Sequence, residues 1–381
     1  MDAQPLYDLT PLLRLALLGT VLALGPLAWV WLRHRGAAPS ARLRALTLLT
    51  LFLTFDLVVF GAFTRLSDSG LGCPDWPGCY GSASPLGARD EIHAAQSVRP
   101  SGPVTHGKAW VEMVHRYLAM AVGLLIVVMT VSSWLEARRG RAAISPWWAT
   151  ATLVWVCAQG AFGALTVTLK LYPAIVTLHL LGGIGLLALL ALQAEQAQPR
   201  PMSLPAGTRR ALYLLAALVL MQVALGGWVS TNYAVLACQE FPTCQGSWWP
   251  AMDFRHGFTP LRELGETAHG DYLPFAALTA IHYTHRLMAY VVLATMLLLA
   301  WQLRRGGQGT AARWLLVLAG WQFVSGLSNV VLGWPLVAAL AHTAGAAALV
   351  ALLAVWVLRA SRSAAPEDAR PAGALPARAM L

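Results

Sequence analysis

Charge is scarce in this chain. Only 12% of its residues are Asp, Glu, Lys or Arg, against about 25% in a soluble domain. That excludes an ordinary water-soluble fold. Cysteine is also rare, with five in 381 residues, which excludes a disulfide-dense scaffold. Lysine is nearly absent beside arginine. No basic start or small-residue cleavage site accompanies the first apolar run, so it reads as an anchor rather than a removed signal. No transit-peptide pattern is present either.

What is abundant is apolar surface, at 57% of residues. Nine stretches are long enough, at about 20 residues each, to cross a bilayer. They fall at roughly 12–32, 43–64, 112–134, 147–169, 174–194, 210–231, 276–302, 313–333 and 335–358. Lipid cannot satisfy backbone polar groups, so each must be helical. The fold class is therefore an all-α integral membrane protein.

The formal net charge of +10 follows the membrane rather than nucleic acid. The loops after the first, third, fifth and seventh spans, with the C-terminal tail, hold 17 of the 27 basic residues. By the positive-inside rule that side is cytoplasmic. The N-terminus is then outside and the C-terminus inside. The composition fits a bacterial inner membrane. The Ala/Pro-rich segment 359–381 reads as a disordered tail.

The chain repeats itself. "FGAFTRLSDSGLGCPDWPGCYG" lies over "LGGWVSTNYAVLACQEFPTCQG" at an offset of 165, which pairs Gly61 with Gly226, Cys73 with Cys238 and Cys79 with Cys244. His115-Arg116 pairs with His285-Arg286 at an offset of 170. Gln159, Gly163 and His179 pair with Gln322, Gly326 and His342 at an offset of 163. Spans two to five thus recur as spans six to nine, in the same orientation. The expected organisation is an extra N-terminal helix (1–42), a first four-helix half (43–198), a second (199–358) and the tail.

Four histidines lie in apolar spans, two per half, at matching positions: His115, His179, His285 and His342. One membrane histidine is often a plain interhelical hydrogen-bonding residue. Four in register point to function. Counted along the predicted spans, His115 lies about 5 Å and His179 about 9 Å from the outer ends. Facing imidazoles in a bundle can give a haem its two axial ligands. Zinc would need three or four ligands, and each half offers two. Two haem-sized sites are expected, with Gly182, Gly183 and Gly185, and likewise Ala344, Gly345 and Ala346, leaving room for a macrocycle or for close helix packing.

The halves differ at chosen points. Glu112 sits one turn before His115, and its counterpart is His282. Asp56 pairs with Met221, and Arg65 with Ser230. The carboxylates cluster in the first half, so the chemistry is placed there and a fixed cofactor in the second. Glu112 can also be read as a helix-start acid favoured by the dipole, and Asp56 as a buried interhelical hydrogen-bonding residue. Arg116 and Arg286 suit haem propionates, since a guanidinium matches a carboxylate, or else snorkel to the interface. His282 competes with His285 as a ligand, and His285 is preferred because it aligns with His115. Cys157 reads as a small core residue. The outer-loop residues His93, His106, His256 and His269 read as solvated.

The loop "TRLSDSGLGCPDWPGCYG", the helix start "EMVHR" and the repeated "HR" with "LH"/"AH" resemble the haem A synthase family of cytochrome oxidase assembly proteins, over roughly 43–358. The extra first helix departs from that family's eight-helix core and is similar to its longer bacterial members. The resemblance implies oxidation of the methyl group of haem O to a formyl group, by successive hydroxylations and loss of water. It implies a substrate haem on His115 and His179, a haem b cofactor on His285 and His342, and a catalytic role for Glu112. Haem O synthase, oxidase assembly factors, an unnamed electron donor and membrane lipid are the expected partners, with self-association open. A di-haem quinol cytochrome and a haem chaperone or transporter are the competing readings.

The charge map puts Cys73, Cys79, Cys238 and Cys244 on the outer face, where disulfides persist. Two intra-loop disulfides, Cys73–Cys79 and Cys238–Cys244, are the simplest arrangement, and family members associate such pairs with a disulfide and with activity. One metal shared by all four, and a redox role for the first pair, are the alternatives.

Overall fold

The computed structural model describes residues 10–142 and 144–363. In chain order the helices are α1 (Thr10–Arg33), α2 (Pro39–Leu66), α3 (Arg89–Val98), α4 (His106–Arg138), α5 (Trp147–Thr168), α6 (Pro173–Gln196), α7 (Ala206–Thr231), α8 (Phe254–Gly257), α9 (Phe275–Arg305), α10 (Gly309–Val331) and α11 (Leu336–Arg362). Among the described residues nine of these are long and apolar enough to span a membrane. The protein is an all-helical, multi-pass membrane protein. The short α3 and α8 lie in the loops opposite the arginine-rich ones and carry no spanning signal.

Most spans run a few residues past their apolar windows, because polar groups start or stop them. Pro39 and Pro173 open α2 and α6, where a missing N–H costs nothing. Thr105 caps α4 by accepting from the Lys108 N–H at 3.3 Å. α4 therefore begins at His106 rather than near 112. His115 consequently lies nine residues, about 14 Å, into its helix, deeper than the sequence reading put it. At the other end α11 continues to Arg362. Arg359 is not part of a disordered tail, because its Nε and Nη2 donate to Glu195 Oε1 and Oε2 at 2.8 and 2.6 Å. Residues 364–381 lie outside the described residues.

The spans close into two rings. In the first, α2 touches α4, α4 touches α5, α5 touches α6 and α6 returns to α2. In the second the same circuit runs α7, α9, α10, α11 and back to α7. α4 and α6 stand diagonally without touching, as do α9 and α11. The rings meet through α2 with α11, α6 with α7, and α6 with α11. The first two of these contacts exchange under the sequence repeat, and the third is its own counterpart. α1 lies outside the first ring against α4 and α2. Gly19 there is so close to Met120 that a Cβ would fall 2.6 Å from Met120 Cβ.

Residues near the seam bond to their own repeat counterparts. Arg65 Nη2 donates to the Ser230 carbonyl at 2.5 Å, and the Tyr233 hydroxyl donates to Asp68 Oδ1 at 2.7 Å. Both pairs are 165 residues apart. The Arg65 guanidinium also lies 3.9 Å over the Tyr233 ring, and Lys108 Nζ pairs with Asp68 at 3.2 Å. The ends of the two rings away from the arginine-rich loops are thus tied together.

Candidate haem cavity

All four histidines line one cavity of about 1340 Å³. It exceeds the roughly 300–1,000 Å³ of a small-ligand pocket. Two haem-sized sites were expected, and both histidine pairs line this one continuous space. Small and apolar residues line it where the rings meet, including Gly183 and Leu180 of α6 and Gly227 and Thr231 of α7.

Each imidazole lies against a glycine of the neighbouring helix. A Cβ on Gly61 (α2) would fall 3.0 Å from His115 Cε1, and one on Gly226 (α7) 3.0 Å from His285 Cε1. The corresponding figures are 3.4 Å for Gly163 (α5) and His179, and 3.2 Å for Gly326 (α10) and His342. The four glycines therefore clear space for four rings. Because the histidine helices are diagonal, each pair comes from opposite sides of its ring. Nδ1 of His115, His179 and His285 is buried without a hydrogen-bond partner. Buried polar atoms are rarely left so. Paired imidazoles with unused nitrogens, in an otherwise apolar cavity, fit an iron macrocycle.

The surroundings of the pairs differ. Ser325 Oγ lies 3.0 Å from His342 Nδ1. The Gln222 amide donates to the His285 backbone oxygen at 3.1 Å and lies 3.4 Å from its Nε2. Gln159 and Gln322 donate to the backbone oxygens of His179 and His342 at 2.9 and 3.0 Å. The last two had surfaced as repeat partners. Gln222 and Ser325 had no signal, since their counterparts are Leu57 and Phe162.

Glu112 is buried beside the cavity. Its Oε2 accepts from the Cys73 N–H at 2.8 Å, and its Oε1 pairs with Arg116 Nη2. Arg116 Nη1 donates to the carbonyls of Asp75, Pro77 and Gly78 at 3.0, 3.1 and 2.6 Å. Both terminal nitrogens of Arg116 are therefore committed to the loop and to Glu112. Arg286 Nη1 likewise donates to Thr243 and Pro242 carbonyls at 2.8 and 3.4 Å. Its Nε and Nη2, however, are buried and unpartnered. Arg286 thus keeps two buried donors open to a carboxylate, while both terminal nitrogens of Arg116 already have acceptors. His282 also lines the cavity, but its Nδ1 lies 3.0 Å from the Ala234 carbonyl.

The disulfides form as Cys73–Cys79 and Cys238–Cys244, which removes the shared-metal alternative. The first loop is pressed onto α4. A Cβ on Gly72 would sit 2.4 Å from the Lys108 carbonyl carbon, so only glycine fits. Two expectations fail. Asp56 is exposed on α2 and absent from the cavity wall. Thr54, Leu57, Val58 and Gly61 take the inward positions, and at 100° per residue position 56 points away. Cys157 is exposed and lines the cavity rather than the core. His256 is not merely solvated, since its Nδ1 pairs with Asp253 at 2.5 Å.

These features define a polytopic membrane protein whose two helix rings present diagonal imidazole pairs to one apolar cavity. The comparisons agree with that class. The COX15-CtaA family model, described as cytochrome oxidase assembly protein, matches residues 44–354, and the chain belongs to that family. It is 38% identical over 310 residues to a protein named "Heme A synthase" from Shewanella oneidensis, covering 80% of this chain and 92% of that one. It is 30% identical over 359 residues to a "Heme A synthase" from Methylorubrum extorquens, covering 87% and 89%. A further "Heme A synthase", from Alkalihalophilus pseudofirmus, is 25% identical over 301 residues, covering 76% and 87%.

Proposed function

We propose that the chain oxidises the methyl group of haem O to a formyl group, giving haem A for cytochrome oxidase assembly. Family membership and the relatives' name support the reaction. The observation that carries the division of labour is Glu112, a buried carboxylate beside only one of two matched imidazole pairs.

In this reading His115 and His179 hold the substrate haem, and His285 and His342 hold a haem b. A bound haem b supplies electron transfer. The remaining work belongs to the chain. Arg116 and the Cys73 N–H fix both oxygens of Glu112, so the carboxylate is preorganised to exchange a proton or stabilise positive charge at the reacting carbon. Arg286 offers its unpartnered Nε and Nη2 to a haem b propionate. The apolar wall keeps bulk water from the reaction. The arginine-rich ends face the cytoplasm of a bacterial inner membrane, with the N-terminus periplasmic. Haem O synthase, assembly factors and an electron donor are the partners.

The test is haem extraction and chromatography from cells that also express a source of haem O. Haem A should accumulate with the unchanged chain and not with Glu112→Gln, while the purified variant keeps its resident haem. Absence of haem A with the unchanged chain would overturn the reading.

A further inference from the structure

The repeat permits a second comparison, between the interiors of the two rings at the arginine-rich end. The first ring buries Thr47, Thr50, Thr54, Thr130, Ser133, Glu136, Thr152 and Gln193. Applying the same three offsets, the second ring has Leu212, Leu215, Val219, Ala300, Leu303, Gly306, Leu315 and Trp356 there. All but Gly306 belong to its hydrophobic core. Eight polar positions on four helices are thus apolar or glycine in the sister ring. Chance burial of single threonines does not produce that pattern.

Four of the eight, Thr47, Ser133, Glu136 and Gln193, line a small cavity of about 20 Å³ together with Arg44 and Arg141, among others. Three atoms in its wall are buried without a partner: Arg44 Nε, Glu136 Oε2 and Gln193 Nε2. Two are donors and one is an acceptor. A site of this size holds one water, and buried waters make about three hydrogen bonds. Thr152 Oγ1, which donates to the Trp148 carbonyl at 2.9 Å, lies 3.3 Å from Gln193 Oε1 and adjoins the group. From Thr47, α2 carries hydroxyls at Thr50 and Thr54 on the same face, an advance of about 10 Å along the helix. Thr54 lines the large cavity.

We infer that the first ring contains a hydrated polar column, built on a water held by Arg44, Glu136 and Gln193, that links the arginine-rich face to the inner end of the haem cavity. Its ligand is water, and its function is proton exchange with the site beside Glu112. The hydroxyls line it as acceptors: Thr47, Thr50 and Thr54 each donate to the carbonyl one turn back and keep lone pairs for water hydrogens. The second ring has apolar side chains or glycine at all eight positions, which fits a cofactor that needs no proton supply. The proton role rests on the proposed chemistry, but the hydration does not.

Met129 reports on the water. It is 0% exposed, and its Sδ lies 3.2 Å from Thr47 Oγ1. X-ray hydroxyl-radical footprinting of the full-length protein in nanodiscs oxidises side chains beside bound water, buried or not. Met129 should be labelled well above Trp356, the 5%-exposed residue at the position of Gln193 in the second ring. Gln193→Leu should bring Met129 labelling down severalfold and leave Trp356 unchanged. Thr47→Val serves as a second variant, with the haem spectrum as the check on folding. Equal labelling of Met129 and Trp356 in the unchanged protein, or no drop in either variant, would overturn the column. The proton role is tested with Thr50→Leu and Thr54→Val, which install the second ring's own residue types. Slower haem A formation at unchanged haem content supports it, and an unchanged rate removes it while leaving the water site standing.

Discussion

The two rings share a circuit of helices, a glycine behind each histidine and a disulfide loop held by an arginine. They differ in what surrounds those parts. The first ring has Glu112 on its arginine, polar residues through its interior and the extra helix α1 along its side. The second has Ser325 and Gln222 beside its imidazoles, an apolar core at the matching positions and unpartnered nitrogens on Arg286. On the function proposed above, the first arrangement serves turnover and the second serves retention. The difference comes from a few side chains, since the backbone plan is common to both.

The strongest way to break this comparison is at the ligands. His285→Ala or His342→Ala should abolish the resident low-spin haem spectrum, whereas His115→Ala should leave that component in place. Equal loss from both rings would mean the pairs are not specialised. Glu112→Gln should lower haem A formation by about 10²-fold or more, the range for a positioned acid or base, whereas His282→Gln should cost far less.

Arg116→Leu should come next. It leaves Glu112 buried without its ion partner, a loss of about 3–5 kcal/mol, seen as a lower thermal midpoint together with lost activity. Arg286→Leu should instead release haem. The disulfides should have a smaller effect on stability. Opening either short loop should cost about 2 kcal/mol by chain entropy, so Cys73→Ala and Cys238→Ala should destabilise alike. A larger activity loss from Cys73→Ala at equal haem content would sharpen the comparison toward a redox role for the first loop.

The smallest effect belongs to the tie between the rings. Burial tends to raise the Asp68 carboxyl, but hydrogen bonds from Tyr233 and Lys108 and the charges of Lys108 and Arg65 outweigh it and hold it below the usual range. A depressed folded value stabilises above the unfolded value of about 3.9. The tie should therefore be fully present at neutral pH and fade only as pH falls below about 4. Asp68→Asn should remove that acid-side dependence in a pH series of thermal midpoints and change little else.

Much of this was legible in the chain. The spans showed because lipid demands long apolar helices, and the repeat showed because both halves keep the same spacing of glycine, cysteine and histidine. The pairing of His115 with His179 and of His285 with His342 followed from that register. Other surroundings were not legible. Asp56 counted as part of the site because its depth was visible and its facing direction was not weighed. Arg116 counted as a propionate ligand because its charge was visible and its four partners were not.

The sequence by itself determined which segments cross the membrane, how many times and in what repeated order, since those follow from local apolarity and periodicity. Only the tertiary structure decided which atoms are already spoken for. Glu112 has one partner, Arg116, a turn further along its own helix, and received the other from a disulfide loop 39 residues away. Arg286 kept two donors, and three polar atoms met around a space the size of one water. Satisfaction of a buried polar group depends on neighbours brought in from distant helices, and no local pattern encodes them.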